Sequence, residues 1–134
     1  MGDLGDAVHT VEIMTEAGVQ GIVGLNTQKD YDYYLPKVAS GDKKLFKYYT
    51  EKFNGGISGE LIKERSFEQI ARTADQIKKV NPDLVLIHVG GLATHKDLLK
   101  SREIAPLREW YTGFMEAIAT TDLKKIYPKM MGKA

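Results

Sequence analysis

Apolar residues near the N-terminus recur at the spacing of an α-helix. Four of them lie three or four positions apart: Leu4, Val8, Val11 and Met14. Gly18 then offers the stop signal of a helix C-terminus. The next apolar segment, residues 21–25, contains no polar residue. Runs of this kind are typical of strands buried on both faces of a parallel sheet, so we predict a helix followed by a strand.

A polar, tyrosine-rich segment follows this strand. It extends from Asn26 to Phe53, and we predict that its second part, from about Asp42, is a short helix. Residues 54–59 are the most glycine-dense part of the chain and predict a turn or loop. The tyrosines either cover exposed strand edges or contact another subunit, and both interpretations stay open. They are Tyr31, Tyr33, Tyr34, Tyr48 and Tyr49.

A longer helix is predicted to begin at Ser66. Its hydroxyl and the Gln69 side chain have the spacing of a capping box, in which each satisfies a backbone N–H of the first turn. Asn81 and Pro82 end the helix, because proline cannot continue it. One apolar stripe runs along this helix: Phe67, Ile70, Ala74 and Ile77.

Two further strands and three helices are predicted in the second half. Leu84–Val89 is the clearest strand, and Leu107–Trp110 is a third candidate. Thr94–Asp97 has capping-box character, and another helix starts near Phe114. The last helix begins around residues 121–122. Its predicted apolar face consists of Leu123, Ile126, Tyr127 and Met130.

Strands that alternate with helices predict an α/β fold with a parallel sheet and right-handed crossovers. A closed (β/α)₈ barrel needs eight strands and about 250 residues. This chain has 134 residues and about three predicted strands. We therefore predict a partial (β/α)₈ TIM barrel in which residues 1–134 form one domain.

Composition narrows the class of protein without identifying it. Lys and Arg number 19 against 18 Asp and Glu, which gives no reason to expect a nucleic acid or an anionic membrane as partner. The absence of cysteine excludes disulfides and thiolate catalysis. Apolar runs are too short to span a bilayer, and Met1–Asp6 lacks the features of a signal peptide. We expect a cytoplasmic protein.

The three histidines lack the spacing of metal ligands, so no metal site is expected. His9 is predicted on the polar side of the first helix, and His95 is predicted to be exposed. His88 lies within an apolar strand, where a hydrogen-bonded core or pocket histidine is expected rather than a catalyst.

Each predicted strand ends in residues that suit a ligand site, because α/β folds bind ligands beyond the carboxyl ends of their strands. Asn26 and Thr27 offer an amide and a hydroxyl. Gly90–Gly91 can bring bare backbone N–H groups close to a phosphate, and Tyr111–Gly113 opens a helix whose dipole favours an anion. Taken without further context, the simpler interpretation is favoured: Gly90–Gly91 form a tight strand-to-helix turn, and Asn26–Thr27 are an ordinary helix-capping or turn pair.

Four segments together resemble the last third to half of the dihydroorotate dehydrogenase family. They are residues 21–27, 55–59, 89–91 and 107–113. The resemblance extends from residue 7 to about residue 119. It implies a flavin-dependent oxidoreductase of pyrimidine biosynthesis, with FMN as its cofactor.

The resemblance also implies roles for particular residues. The substrate pyrimidine would be held by Asn26 and Thr27. The FMN cofactor would lie beside the Leu25 backbone and Gly59. Its phosphate would be held by four residues: Gly90, Gly91, Tyr111 and Thr112. Three features depart from the family pattern: His88 replaces a small residue, Ala105–Pro106 replaces Gly-Ala, and the segment 30–53 is long.

In the family, the catalytic base lies before the sixth barrel strand, in sequence that the present chain does not contain. No catalytic residue is therefore assigned, and we expect no dehydrogenase activity from the chain alone, because proton abstraction from dihydroorotate has no base. Whether the chain is an enzyme stays open. The alternative is a non-catalytic, oligomeric α/β remnant or binding module, and a truncated reading frame is a third interpretation. An open sheet invites self-association, so we expect a homo-oligomer or a complementary half-barrel chain as partner.

Overall fold

The computed structural model of the chain describes the backbone of residues 4–133 and the side chains of residues 8–133. Two predictions concern side chains outside this range. One is the acidic character of the segment Met1–Asp6, and the other is the place of Leu4 on the apolar face of the first helix. Helices and strands alternate along the described chain. The strands are β1 (Gly21–Gly24), β2 (Val85–Val89) and β3 (Leu107–Glu109). The helices are α1 (Leu4–Glu16), α2 (Tyr31–Tyr34), α3 (Lys43–Phe53), α4 (Lys63–Val80), α5 (His95–Arg102), α6 (Thr112–Thr120) and α7 (Leu123–Met130). Two 3₁₀ turns span Leu35–Lys37 and Gly59–Ile62.

The three strands form one open parallel sheet in the order β1-β2-β3. Val23 of β1 pairs with Ile87 of β2, and Ile87 pairs with Leu107 of β3. Pro106 therefore leaves the pairing of the last strand intact from the next residue onward. The α/β prediction is confirmed, and the sheet is consistent with part of a (β/α)₈ barrel.

The main core lies between one face of the sheet and helices α1 and α4. The predicted stripe of α4 faces it, because the side chains of Phe67, Ile70, Ala74 and Ile77 are all buried. The core cluster consists of Val11, Ile22, Ile70, Ala74, Ile77, Leu84, Leu86 and Ala105. Burial of such side chains supplies about 1.5–3 kcal/mol each, so this face is the main source of stability.

The opposite face of the sheet is bare. Paired residues of neighbouring parallel strands point to the same side, and Val23, Ile87 and Leu107 are such a set. Val23 is 57% exposed and Leu107 is 50% exposed. Parallel sheets in proteins are normally covered on both faces. The described part of the chain therefore leaves apolar sheet surface that another protein element would cover.

The tyrosine-rich excursion folds back against the start of α4. Gln28 and Ile57 form an isolated antiparallel bridge, and the Tyr31 hydroxyl donates to the Gly55 carbonyl. Tyr34 is buried at 1% exposure in a second cluster, together with Ile57 and Ile62. The hydrophobic pattern of the sequence did not predict α2, because four residues are too few to show a helical period. It did not predict this cluster either.

Helix ends follow the local signals in most places. α4 stops at Val80, directly before Asn81–Pro82. The predicted capping box of α5 is present, since Thr94 accepts from the Asp97 N–H and Asp97 accepts from the Thr94 N–H. Asp122 caps α7 through the Lys124 N–H.

The predicted start of α4 at Ser66 is wrong. The helix begins at Lys63, because the 3₁₀ turn of residues 59–62 leads directly into it. Ser66 is fully buried inside the helix, and its hydroxyl bonds across to the sheet instead of capping. Helix α6 likewise starts at Thr112, two positions before the predicted Phe114.

Two predictions of exposure also need correction. His95 is half-buried rather than exposed, because its Nδ1 lies 2.6 Å from the Met130 carbonyl oxygen. In α7, Ile126 and Met130 are buried as predicted, but Leu123 and Tyr127 are mostly exposed. The helix is too close to the edge of the molecule for its whole apolar face to be covered.

Candidate functional site at the strand ends

The carboxyl ends of the three strands meet around one small pocket. Its lining residues are Asn26, Val89, Gly90, Gly91, Leu92, Trp110, Tyr111 and Thr112. The cavity volume is about 10 Å³, roughly the space of one water molecule. Five of the eight residues that the family resemblance selects therefore line the same pocket.

Gly90 and Gly91 turn the chain at the end of β2. Both have positive φ angles, +94° and +71°, which side chains disfavour. A Cβ atom on Gly90 would collide with the Leu25 carbonyl oxygen, and one on Gly91 would lie 2.5 Å from the Cα of Lys63. The missing side chains are thus needed for the packing of the chain itself, before any ligand is considered.

The N-terminus of α6 opens onto the pocket. Tyr111 occupies the N-cap position, but its side chain makes no capping hydrogen bond, and it is 70% exposed. The first N–H groups of a helix lack partners inside the helix and carry a partial positive charge. Gly113 lets the start of α6 approach the Ala93 backbone closely, since a Cβ on Gly113 would lie 2.7 Å from the Ala93 Cα.

The remaining predicted residues lie around this pocket without lining it. A Cβ on Gly59 would lie 3.0 Å from the Thr112 methyl carbon, so the 3₁₀ turn touches the start of α6. Leu25 has a left-handed φ of 70°, and its carbonyl abuts Gly90. Thr27 packs against Gly56 and is not among the residues that line the pocket.

A buried chain of hydrogen bonds supports the glycine turn from below. The Ser66 hydroxyl donates to the Gly90 carbonyl at 3.0 Å. Its oxygen then accepts from Nε2–H of His88 at 3.1 Å. With that proton on Nε2, the neutral ring accepts at Nδ1 from the Ser101 hydroxyl, at 2.8 Å. The chain links α5, β2 and α4 to the first glycine of the turn.

His88 is completely buried, and burial lowers its pKa from the ordinary 6.5 to about 4. Nearby Arg108 lowers the pKa further, while the Gly90 backbone opposes the shift. The ring is therefore neutral at pH 7, in agreement with its hydrogen bonds. The sequence-based prediction of a hydrogen-bonded core histidine is confirmed.

An ion-pair group borders the turn on its other side. The Lys63 ammonium lies 2.6 Å from Glu60 and 3.1 Å from Asp97. Partial burial raises the pKa of Asp97, but hydrogen bonds from Thr94, Ala93 and Lys63 outweigh it and hold the pKa below its usual value. Because Gly91 packs on the Lys63 backbone, this group anchors α4 and α5 beneath the turn.

The donor groups of the pocket suit a phosphate in kind. They are backbone N–H groups at a helix start, and no Lys or Arg is among the lining residues. The cavity, at about 10 Å³, is too small to enclose a phosphate group.

Sequence reasoning missed the two supporting groups. The local pattern indicates a helix cap at Ser66 and only a capping box at Asp97. A polar residue on the apolar side of a predicted helix was the available signal for Ser66, since buried hydroxyls need partners. The contact of Lys63 with Asp97 joins residues far apart in the sequence, and no local pattern indicates it.

This fold places the chain in the class of parallel α/β proteins, a class whose ligands bind at the strand ends. Comparison with known proteins shows which family the chain resembles. The chain is 32% identical over 111 residues to dihydroorotate dehydrogenase (quinone) from Mycobacterium marinum. It is 31% and 34% identical, over 112 residues each, to the proteins of that name from Halobacterium salinarum and Mycolicibacterium smegmatis. No family model matches the chain.

These alignments cover 82% of the chain and only 27% or 28% of each relative. The chain thus spans little more than a quarter of the length of the curated relatives it matches. Within that span, the resemblance to the dihydroorotate dehydrogenase family is confirmed. Among residues 4–133, no helix combines the length and the apolar character needed to cross a bilayer.

Proposed function

We propose that residues 1–134 are the C-terminal half-barrel part of a dihydroorotate dehydrogenase-like domain and bind the phosphate of FMN. The observation that carries the proposal is the convergence of Asn26, Gly90, Gly91, Tyr111 and Thr112 on one pocket at an uncapped helix N-terminus. In the same proposal, Asn26 and Thr27 face the pyrimidine, and the Leu25 backbone and Gly59 border the flavin.

The reaction of such a domain is the oxidation of dihydroorotate to orotate in pyrimidine biosynthesis, and bound FMN would supply the hydride acceptor. The residues of this chain would hold and orient the phosphate through backbone N–H groups. No base for the proton is assigned in this proposal, and His88, which lies directly before the turn, is buried and engaged at both nitrogens. We therefore propose that the chain alone is inactive.

The proposal includes a cytoplasmic location and a protein partner. A homo-oligomer or a complementary half-barrel chain would cover the bare sheet face that Val23 and Leu107 expose. Parallel sheets need such cover, because an uncovered apolar face is exposed to water.

A non-catalytic, oligomeric α/β module is the second candidate. One observation favours it: the Cβ-free space at Gly90 and Gly91 is occupied by Leu25 and Lys63 of the same chain. Under this interpretation the glycines serve the turn alone, and the family resemblance reflects ancestry.

Binding of FMN and riboflavin separates the two candidates, because riboflavin lacks only the phosphate. A substitution at Gly91 would disturb the fold, so the informative variant is Tyr111→Asp. Its carboxylate would cap α6 and repel a phosphate. We expect FMN to bind at least about tenfold more tightly than riboflavin, and Tyr111→Asp to remove that difference. Flavin fluorescence quenching measures both affinities.

Tyr48→Asp is the matched control, since Tyr48 is also an exposed tyrosine but lies on α3, outside the pocket. It should bind FMN like the original chain. Equal affinity for FMN and riboflavin, or normal FMN binding by Tyr111→Asp, would contradict the phosphate site and favour the non-catalytic module.

A further inference from the structure

A large cleft lies on the other side of the Gly59–Ile62 turn from the strand-end pocket. It has a volume of about 930 Å³, within the range of about 300–1,000 Å³ typical of small-molecule sites. Helix α3 forms one wall, and the start of α4 with the 3₁₀ turn forms the other. Neither the sequence patterns nor the family resemblance assigns it a role.

Apolar and aromatic side chains dominate the surface of this cleft. They are Val38, Ala39, Leu45, Phe46, Tyr49, Ile57, Leu61 and Phe67. Leu45 and Tyr49 are 56% and 54% exposed, although they face a concave surface where an occupant would shield them from water. Covering such side chains releases about 25 cal/mol for each Å² of apolar area, so the cleft favours an apolar occupant.

The cleft is held open by contacts that do not involve an occupant. The Tyr31 hydroxyl lies 2.9 Å from both the Asn54 side-chain oxygen and the Gly55 carbonyl oxygen, and its shared proton ties α2 to the end of α3. The rings of Tyr31 and Phe46 meet edge to face at 6.3 Å. Ile57 is fixed by its backbone bridge to Gln28. A ligand would therefore meet walls that are already in place, which reduces the ordering cost of binding.

Charges around the cleft nearly balance. Its charged lining residues are Lys37, Lys63, Lys100, Asp42, Glu60, Glu64 and Asp97. Lys63 already pairs with Glu60 and Asp97. Positive and negative side chains in nearly equal number give the cleft no strong preference for an anion or a cation. An uncharged molecule therefore suits the electrostatics of the cleft best.

The aromatic side chains of the cleft narrow the class of ligand further. Phe46 and Tyr49 present aromatic surface to the cleft, and the buried Phe67 ring lies in its lining. The Lys100 ammonium stands 4.6 Å from the centre of the Phe67 ring. Aromatic rings bind other rings in edge-to-face or offset arrangements, and an ammonium group beside them attracts a further π-face.

We propose that this cleft is a binding site for an uncharged, predominantly apolar ligand that contains an aromatic ring system. The proposal is independent of phosphate binding. The two sites share one element, because Gly56, Glu60 and Lys63 line the cleft, while Gly59 between them touches Thr112 of the other pocket.

Titration with Nile red, an uncharged aromatic dye that fluoresces in apolar surroundings, tests the proposal on the full chain. We expect saturable binding of one dye per chain. Leu45→Asp places a carboxylate on the cleft wall at an exposed position and should weaken binding at least about tenfold, because a charge in an apolar contact is costly. Leu123→Asp, at an exposed leucine of α7 outside the cleft, should bind the dye normally.

Light scattering of the same samples detects a different occupant. If Leu45→Asp dissociates an oligomer and the original chain binds no dye, a second copy fills the cleft and the proposal is overturned. Equal dye binding by Leu45→Asp and the original chain would also overturn it. FMN affinity, measured in parallel, should be the same for Leu45→Asp and the original chain, so the outcome does not depend on the phosphate site.

Discussion

At the scale of single residues, His88 connects the fold to the proposed site. Its neutral ring accepts a hydrogen bond from the Ser101 hydroxyl and donates one to Ser66, whose hydroxyl in turn donates to the Gly90 carbonyl. A charged ring would carry protons on both nitrogens and could no longer accept from Ser101. Protonation would therefore break the hydrogen-bond chain at its α5 end and place a charge in the core.

The stability of the chain should fall with acid as a consequence. The pKa of His88 is about 4 in the folded chain, against an ordinary value of 6.5 when unfolded. Below pH 6.5 the unfolded chain binds a proton that the folded chain does not, so unfolding becomes easier as the pH drops. The contribution is complete above pH 6.5 and is lost progressively towards pH 4. Its full size is on the order of 3 kcal/mol, at about 1.4 kcal/mol per pKa unit.

Urea unfolding at pH 7.5, 6 and 5 measures this dependence, with His88→Gln as the non-titrating comparison. The slope between pH 6.5 and 5 should be smaller in His88→Gln. A proton NMR titration of the original chain gives a second measurement if the variant folds poorly. A His88 pKa near 6.5 in the folded chain would show that the ring is not buried as described.

At the scale of elements, the capping box of α5 joins the two sites. Asp97 accepts from the Ala93 and Thr94 N–H groups and also pairs with Lys63 at the start of α4. The first turn of α5 is thereby connected to the helix whose backbone packs against Gly91. Loss of the cap should loosen this corner of the fold.

Thr94→Ala should destabilise the chain by about 1 kcal/mol, the usual cost of removing an N-cap hydroxyl. Urea unfolding at pH 7.5 measures the change. Thr120→Ala is the control, because Thr120 is exposed at the end of α6 and its hydroxyl bonds only to a carbonyl of its own helix. If both variants lose equal stability, the capping box does not have the role assigned to it.

The sequence predicts elements well where a pattern extends over many residues. The stripe of α4, the unbroken apolar runs of β1 and β2 and the cap of α5 each provide several agreeing signals. The sequence fails to predict the structure where one side chain has two possible hydrogen-bond partners. Ser66 has the spacing of a cap, but a longer-range bond to His88 and Gly90 determines its position. Such bonds join residues more than 20 positions apart, which local spacing does not encode.

For the candidate site, the sequence predicts the position of the residues but not their ligand. Motif order placed Asn26, Gly90, Gly91, Tyr111 and Thr112 at strand ends, and the fold brings these five together. The sequence does not identify their ligand. Two glycines that are needed only for the packing of a turn give the same sequence as two glycines that bind a phosphate. The apolar cleft beside α3 was also beyond the sequence, because its walls come from segments that pack only in three dimensions.

At the scale of the whole molecule, the incompletely covered face of the sheet is the feature from which we predict association. Val23 and Leu107 expose apolar surface on strands β1 and β3, which are the two edges of the sheet. Edge strands with apolar surface pair readily with other chains. The chain should therefore associate with itself or with a complementary chain.

Val23→Lys should shift this association towards monomer, because a lysine on the exposed face of an edge strand opposes pairing. Ile118→Lys is the control, since Ile118 is a partly exposed isoleucine on α6, away from the sheet face. Multi-angle light scattering measures the mass of each. A monodisperse monomer for the original chain would contradict the proposed partner surface.

The central claim, that the strand ends of this chain hold the phosphate of FMN, is tested most directly by one visible absorption spectrum. The purified protein is mixed with excess FMN, passed through a desalting column and measured. If the claim is right, the protein retains the flavin spectrum, and retains none when riboflavin replaces FMN. A colourless protein after desalting would contradict the claim and leave the non-catalytic α/β module as the better description.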